Sequence, residues 1–208
     1  MILKGDRIAA LLRESEKSRD PLVIAPAPDV HDVEKSGSAS VDLRLGTWLA
    51  SLRNNRVSLL DVLQTDSAVP AESELVKSHY VPFGKKYILQ PKTFVLGITL
   101  EWIRLPSNIA AYVIGKSSLG RRGLIIATAT GVHPGFTGCL TLEISNVGEV
   151  PIAIKPGMAV CQLFLHSMET EAMGNQIDQS GFMGQRKPVL GKVSLDRIAQ
   201  KLCSYEGF

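Results

Sequence analysis

Apolar residues along this chain recur mostly with a period of two, the spacing of strands, and seldom with the three-to-four spacing of a helix. Residues 139 to 145 read Cys-Leu-Thr-Leu-Glu-Ile-Ser. That puts Leu140, Leu142 and Ile144 on one face of a strand and Cys139, Thr141, Glu143 and Ser145 on the other. Residues 40–46 alternate Val41, Leu43 and Leu45 with Asp42 and Arg44, a pair expected to meet each other on an exposed strand face. Further short strands are predicted at 87–91, 93–103 and 109–114, divided by Pro91-Lys92 and Pro106-Ser107-Asn108. Beyond Glu143 the chain turns at 146–149, runs through 150–154, turns at 155–157 and returns through 158–165. This reads as an antiparallel meander.

Two segments depart from that period. Residues 3–16 carry Ile8, Leu11 and Leu12 on one helical face, and residues 194–202, with Asp196 early and Lys201 late, read as a short closing helix. Segments 21–28, 31–40 and 53–79 read as irregular, and His79 has no partner that the sequence names. Gly174, Gly181, Gly184 and Gly191 imply mobility in the stretch from 168 to 191. Many short strands with Gly and Pro turns predict a mainly β fold, a sandwich or distorted barrel with short N- and C-terminal helices. Residues 1–208 make one domain, whose last part, from about 167, is a flexible closing segment.

Composition narrows the partners. A chain of 208 residues with 45% hydrophobic content can bury a real core, and no apolar run approaches membrane-spanning length. Asp6, Arg7 and Arg13 interrupt the N-terminal apolar pieces, so no signal peptide is expected and the cytoplasm is the expected location. The net charge of +3, with no basic arm or aromatic ladder, points away from nucleic acid and towards a small anionic partner. Cys139, Cys161 and Cys203 form no Cys-x-x-Cys pair and read as reduced packing residues.

Candidate chemistry concentrates in Gly115-Lys-Ser-Ser-Leu-Gly-Arg-Arg-Gly123. Two hydroxyls and three cations there, with glycines that let main-chain amides come close, suit a phosphate. The Walker pattern is absent, since position 110 is Ala110, and a solvated turn is the alternative reading. Glu143 is unusual because a carboxylate in mid-strand is either on a solvated face or held for a purpose.

The runs Lys116-Ser-Ser-Leu-Gly-Arg121, Val132-His-Pro-Gly-Phe-Thr-Gly-Cys-Leu-Thr-Leu-Glu143 and Asn146-Val-Gly-Glu-Val-Pro-Ile-Ala-Ile-Lys-Pro-Gly-Met158 resemble the signature of the dCTP deaminase branch of the trimeric dUTPase-like superfamily. Ser40 to Gly46 and Leu96 to Pro106 add to the match, which covers residues 1 to about 166. The resemblance implies a dUTPase-like fold, a homotrimer with sites between subunits, and deamination of dCTP to dUTP and ammonia. It implies Glu143 as general base and acid, with Ser117 and Arg121 positioning the water and Arg121 holding Glu143 ionised. Lys116, Ser117 and Ser118 would serve the triphosphate, His133 the sugar, and Phe182 and Gln185 the closing segment. The pattern of zinc-dependent nucleobase deaminases, His-x-Glu with Pro-Cys-x-x-Cys, is absent, so no cofactor is expected for the chemistry, and Mg²⁺ is expected only as the counter-ion of the triphosphate. Two positions depart from the family. His133 stands where an aspartate is usual, one residue closer to Ser118 than in typical deaminases, which argues against dUTP hydrolysis. Gly181 stands where a lysine is expected, leaving Arg186 or Lys187 to compensate. The alternatives are a dUTPase-type pyrophosphatase and a nucleotide-binding protein without turnover.

Overall fold

The computed structural model describes residues 1–35, 37–53, 75–127, 131–169 and 183–191, together with 198 and 201. Helix α1 (Gly5–Arg13) buries Ile8 and Ala9, within the predicted 3–16. It is followed by β1 (Val23–Ala25) and α2 (Val30–Lys35). The second helix corrects the irregular reading of 31–40. Its signal is Asp29, whose Oδ1 accepts the amides of His31 at 2.9 Å and Asp32 at 3.2 Å and so satisfies first-turn donors. Val33 then packs into the core beside Ile8.

The strands that follow are β2 (Ser40–Leu52), β3 (Val76–Tyr80), β4 (Tyr87–Leu89), β5 (Thr93–Thr99), β6 (Trp102–Arg104) and β7 (Ile109–Gly115). After the one-turn helix α3 (Ser117–Gly120) come β8 (Leu124–Ile126), β9 (Gly131–Val132), β10 (Thr137–Gly138), β11 (Thr141–Asn146), β12 (Ile152–Ile154) and β13 (Ala159–Ser167). Among the described residues the main sheet runs β8-β11-β5-β2-β13-β7-β9, with β3 on β2. Two smaller sheets, β1-β6-β10 and β12-β4, complete the β structure.

Strand β2 turns the main sheet over on itself. Its first half, Ser40 to Arg44, pairs with β13, whereas its second half pairs with β5 and β3, with a register shift between Leu45 and Leu49. The predicted strand stopped at Gly46, yet the chain runs on to Leu52. The curl brings the end of β7 onto β8, where a Cβ on Gly115 would lie 3.0 Å from the Cβ of Ile126. Gly115 is therefore small because β8 packs there. Inside the curl sit Leu43, Leu45, Leu142 and Ile144, each with no exposed surface. Burying a side chain of this size contributes about 1.5–3 kcal/mol.

The predicted meander is not formed. Strand β11 pairs with β5 and β8, β12 with β4, and β13 with β2 and β7, so the consecutive strands 11, 12 and 13 are not neighbours. Turn residues mark where the chain reverses, but which edge the next strand joins is decided by packing. Strand β3 likewise corrects the irregular reading of 53–79. It is an edge strand, mostly exposed, so its sequence Val-Lys-Ser-His-Tyr carries no apolar alternation. His79 does have a partner, with its Nε2 2.9 Å from Ser51 Oγ. The predicted helix at 194–202 lies outside the described residues apart from Ile198 and Lys201, both helical. No helix among the described residues is long and apolar enough to cross a membrane.

Candidate active site

The loop between β7 and β8 is fixed from below and open above. The Lys116 amide donates to Val160 O at 3.1 Å, and α3 winds on with Gly120 and Arg121 amides donating to Lys116 O and Ser117 O. Gly123, at φ +85°, ends the turn; a Cβ there would lie 3.1 Å from the amide nitrogen of Gly148, so only glycine fits without strain. Asn146, fully buried, accepts the Gly148 amide and donates to Leu89 O and Val150 O, which pins the end of β11 beside the loop's exit. Ser117, Ser118 and Arg121 are all exposed. Arg122 folds back, its Nη1 donating to Ser118 O at 2.6 Å.

Lys116 and its expected neighbours are differently engaged. Lys116 Nζ is 2.5 Å from Asp42 Oδ2, while Arg44 donates through Nη1 at 3.0 Å to Glu101. The expected Asp42–Arg44 pair is thus replaced by two pairs reaching outside β2. Glu101 is 1% exposed, and its other oxygen accepts the Arg44 amide at 2.8 Å. A buried carboxylate with two charge-assisted bonds is well satisfied. The sequence signal for it was an acid set among apolar residues between β5 and β6.

Strand β11 alternates as predicted: Leu142 and Ile144 point into the core and Glu143 points out, exposed. Glu143 lies opposite Leu96 of β5, and Thr141 lies opposite Ile98; both partners are buried, so the carboxylate rises from an apolar row. Among the described residues it has no hydrogen-bond or ion-pair partner. Arg121, expected beside this carboxylate, makes no ion pair with it within the chain. The loop exits beside Asn146, since the Val147 amide donates to Gly123 O, and Glu143 lies three residues back along an extended strand, roughly 10 Å away.

His133 follows β9, exposed, at the far end of the sheet order from β11. The closing segment is described from residue 183. The Cys139 amide donates to Gln185 O at 3.0 Å and the Gly184 amide to Thr137 O at 2.7 Å, so this part of the stretch read as mobile is held against β10. Arg186 lies over the Trp102 ring at 4.7 Å and Lys187 over Trp48 at 4.1 Å, cation–π contacts that sequence reading did not name. Phe182 and Gly181 lie outside the described residues. Cys139, the first residue of the predicted strand, lies before the observed β11, and burial raises its thiol pKa. Cys161, fully buried on β13, is pushed up to about 12 by burial and then by Glu101 and Asp42. Both are free thiols.

Comparison with known proteins places this arrangement. The sequence model of the family described as dCTP deaminase-like matches residues 2–168. A protein of Methanobrevibacter smithii named dCTP deaminase, dUMP-forming, is 37% identical over 204 residues, which is 96% of this chain and 99% of its own length. A protein of Halorubrum lacusprofundi named dCTP deaminase is 38% identical over 173 residues, 83% of this chain and 80% of its own length. The crystal structure of 2′-deoxycytidine 5′-triphosphate deaminase from Agrobacterium tumefaciens superposes with a TM-score of 0.57 over 85% of this chain. At 22% identity that likeness carries the fold, and this chain spans 49% of that protein's chain.

Proposed function

The chain belongs to the dCTP deaminase-like family, matched over residues 2–168, and on that premise we propose that it is an enzyme that hydrolyses the 4-amino group from dCTP. The carrying observation is Glu143, a carboxylate without a partner among the described residues and raised from an apolar row, with a hydroxyl-rich cationic loop joined to its strand through β8. Attack at C4 of cytosine needs a water deprotonated, a proton delivered to N3 and a proton for the departing ammonia. One carboxylate beside the ring serves each transfer in turn, and Glu143 takes that role, with Ser117 and Arg121 orienting the water. Ser118 and Lys116 receive the triphosphate, which brings Mg²⁺ with it as counter-ion. His133 bonds the sugar, and Phe182 and Gln185 close over the nucleotide.

A homotrimer supplies the missing proximity. Arg121 and Glu143 of one chain form no ion pair with each other, so a site between subunits, pairing the loop of one with Glu143 of another, fits the exposure of both. The chain is read as a cytoplasmic protein. Zinc has no part in this scheme, because the residues that hold it in other nucleobase deaminases are absent from the sequence.

The product divides two readings. His133 in place of a carboxylate favours dUTP, since an imidazole is a weak substitute for the base that activates water at the phosphate. The Methanobrevibacter smithii relative is named for forming dUMP, and that favours a second reading in which pyrophosphate also leaves. The test is a product assay with dCTP and, separately, dUTP, each with Mg²⁺. Ammonia from dCTP supports the proposal; dCTP bound without ammonia release overturns it and leaves a nucleotide-binding protein. Pyrophosphate from either nucleotide selects dUMP as the product.

A further inference from the structure

Strand β13 lies between β2 and β7. With roughly 4.8 Å between neighbouring strands, β2 lies about 10 Å from β7. Lys116 follows directly on β7, and its amide is held by Val160 of β13. Its ammonium nonetheless meets the Asp42 carboxylate of β2 at 2.5 Å, so the side chain crosses β13. Beneath this crossing Cys161 is fully buried, paired in register with Leu43 on one side and Gly115 on the other. The first residue of the candidate phosphate loop is therefore fixed twice, by its main chain to β13 and by its side chain to β2. The Lys116 side chain is 26% exposed and that of Asp42 43%, so the pair is reachable from solvent while the lysine is held at both ends.

A free lysine must give up much rotamer freedom, worth about 2 kcal/mol, to hold an anion. A lysine already held by a carboxylate has lost that freedom before the ligand arrives. The carboxylate also removes one positive charge from a loop that otherwise stacks Lys116, Arg121 and Arg122 together. We infer that Asp42 is a positioning residue for triphosphate binding, which acts through Lys116 by holding its ammonium at the head of the loop. Asp42 touches no reacting atom in this scheme. The inference rests on reading residues 116–121 as the triphosphate loop.

The experiment measures binding to the full chain by calorimetry, with dCTP·Mg, inorganic tripolyphosphate and deoxycytidine as probes. Variants are Asp42→Asn, Asp42→Glu, Lys116→Ala and the double variant Asp42→Asn/Lys116→Ala, each checked by thermal unfolding. Expected is a roughly three- to tenfold weakening of dCTP and tripolyphosphate by Asp42→Asn, with deoxycytidine unchanged and partial rescue by Asp42→Glu. In the Lys116→Ala background Asp42→Asn has no further effect. In turnover the loss falls on KM and spares kcat. The inference is overturned if Asp42→Asn lowers only the unfolding temperature, if the two substitutions multiply, or if the wild-type chain binds neither dCTP nor tripolyphosphate. Absence of ammonia from dCTP with the coupling intact would sink the deaminase reading alone and leave the role of Asp42 standing.

Discussion

The Ala127 amide donates to the main-chain carbonyl of Glu143 at 2.8 Å, which locks the chain leaving the loop onto the strand that bears the carboxylate. With β8 in register against β11 from Leu124–Asn146 to Ile126–Ile144, the loop enters at one end of that pairing and Glu143 sits at the other. Loop and carboxylate of one chain are thus held at opposite ends of this pairing, and the proposed trimer would bring them together across a subunit boundary. Glu143→Gln and Arg121→Ala variants, each inactive alone, are expected to regain activity when co-expressed. Random mixing leaves about a quarter of the sites with both native residues. Mixed trimers as inactive as either parent would place the whole site within one chain.

Glu101 is expected to matter for stability. Glu101→Gln leaves Arg44 facing an amide donor where it had a carboxylate, and the change should cost about 2–3 kcal/mol. This is below the usual range for a broken buried pair because Arg44 is 41% exposed. Urea unfolding at neutral pH measures it, and a loss within experimental scatter of zero would remove the pair from the account of stability.

The closing segment can be followed by fluorescence, because the chain has two tryptophans, Trp48 and Trp102, and each carries a cation from it. Arg186→Ala should red-shift emission from Trp102, and Lys187→Ala that from Trp48, as each ring gains solvent. Each contact is worth about 0.5–1 kcal/mol, so the double variant is expected to undock the segment. Emission unchanged in the double variant would mean that Thr137 and Cys139 hold the segment without the cations.

Burial pushes Cys161 to about 12 from an ordinary 9.0, so the folded protein keeps that proton after the unfolded chain has lost it. The stabilising contribution is whole below pH 9.0 and is lost as pH rises to about 12. His79 works at the other end. Burial first, and Lys77 second, depress it, so its contribution is whole above 6.5 and is lost as pH falls below that value. Unfolding free energy measured across pH should fall in both directions, and alkylation of Cys161, followed by mass spectrometry, should require unfolding. Rapid labelling of native Cys161 would contradict the buried thiol.

The alternation that marked β11 in the sequence survives in the structure because one face is core and the other is open. Glu143 was legible for that reason. Pairing order was not, because turn residues at 146–149 and 155–157 encode reversals and say nothing about which edge β12 or β13 joins. Strand β3 and helix α2 escaped for local reasons, an exposed edge and a cap read as a loop. Asp42 was matched to Arg44 and Glu101 was not singled out, because the actual partners of these acids lie 74 and 57 positions away and only the curl of β2 brings them together.

The most direct test of the account is ammonia release from dCTP·Mg by the wild-type chain beside Glu143→Gln. Glu143 is exposed, so the variant should fold and bind dCTP as the wild type does. Its ammonia release should fall by about 10²–10⁴-fold, the usual share of a general base. A Glu143→Gln chain that still releases ammonia at the wild-type rate would contradict the central claim.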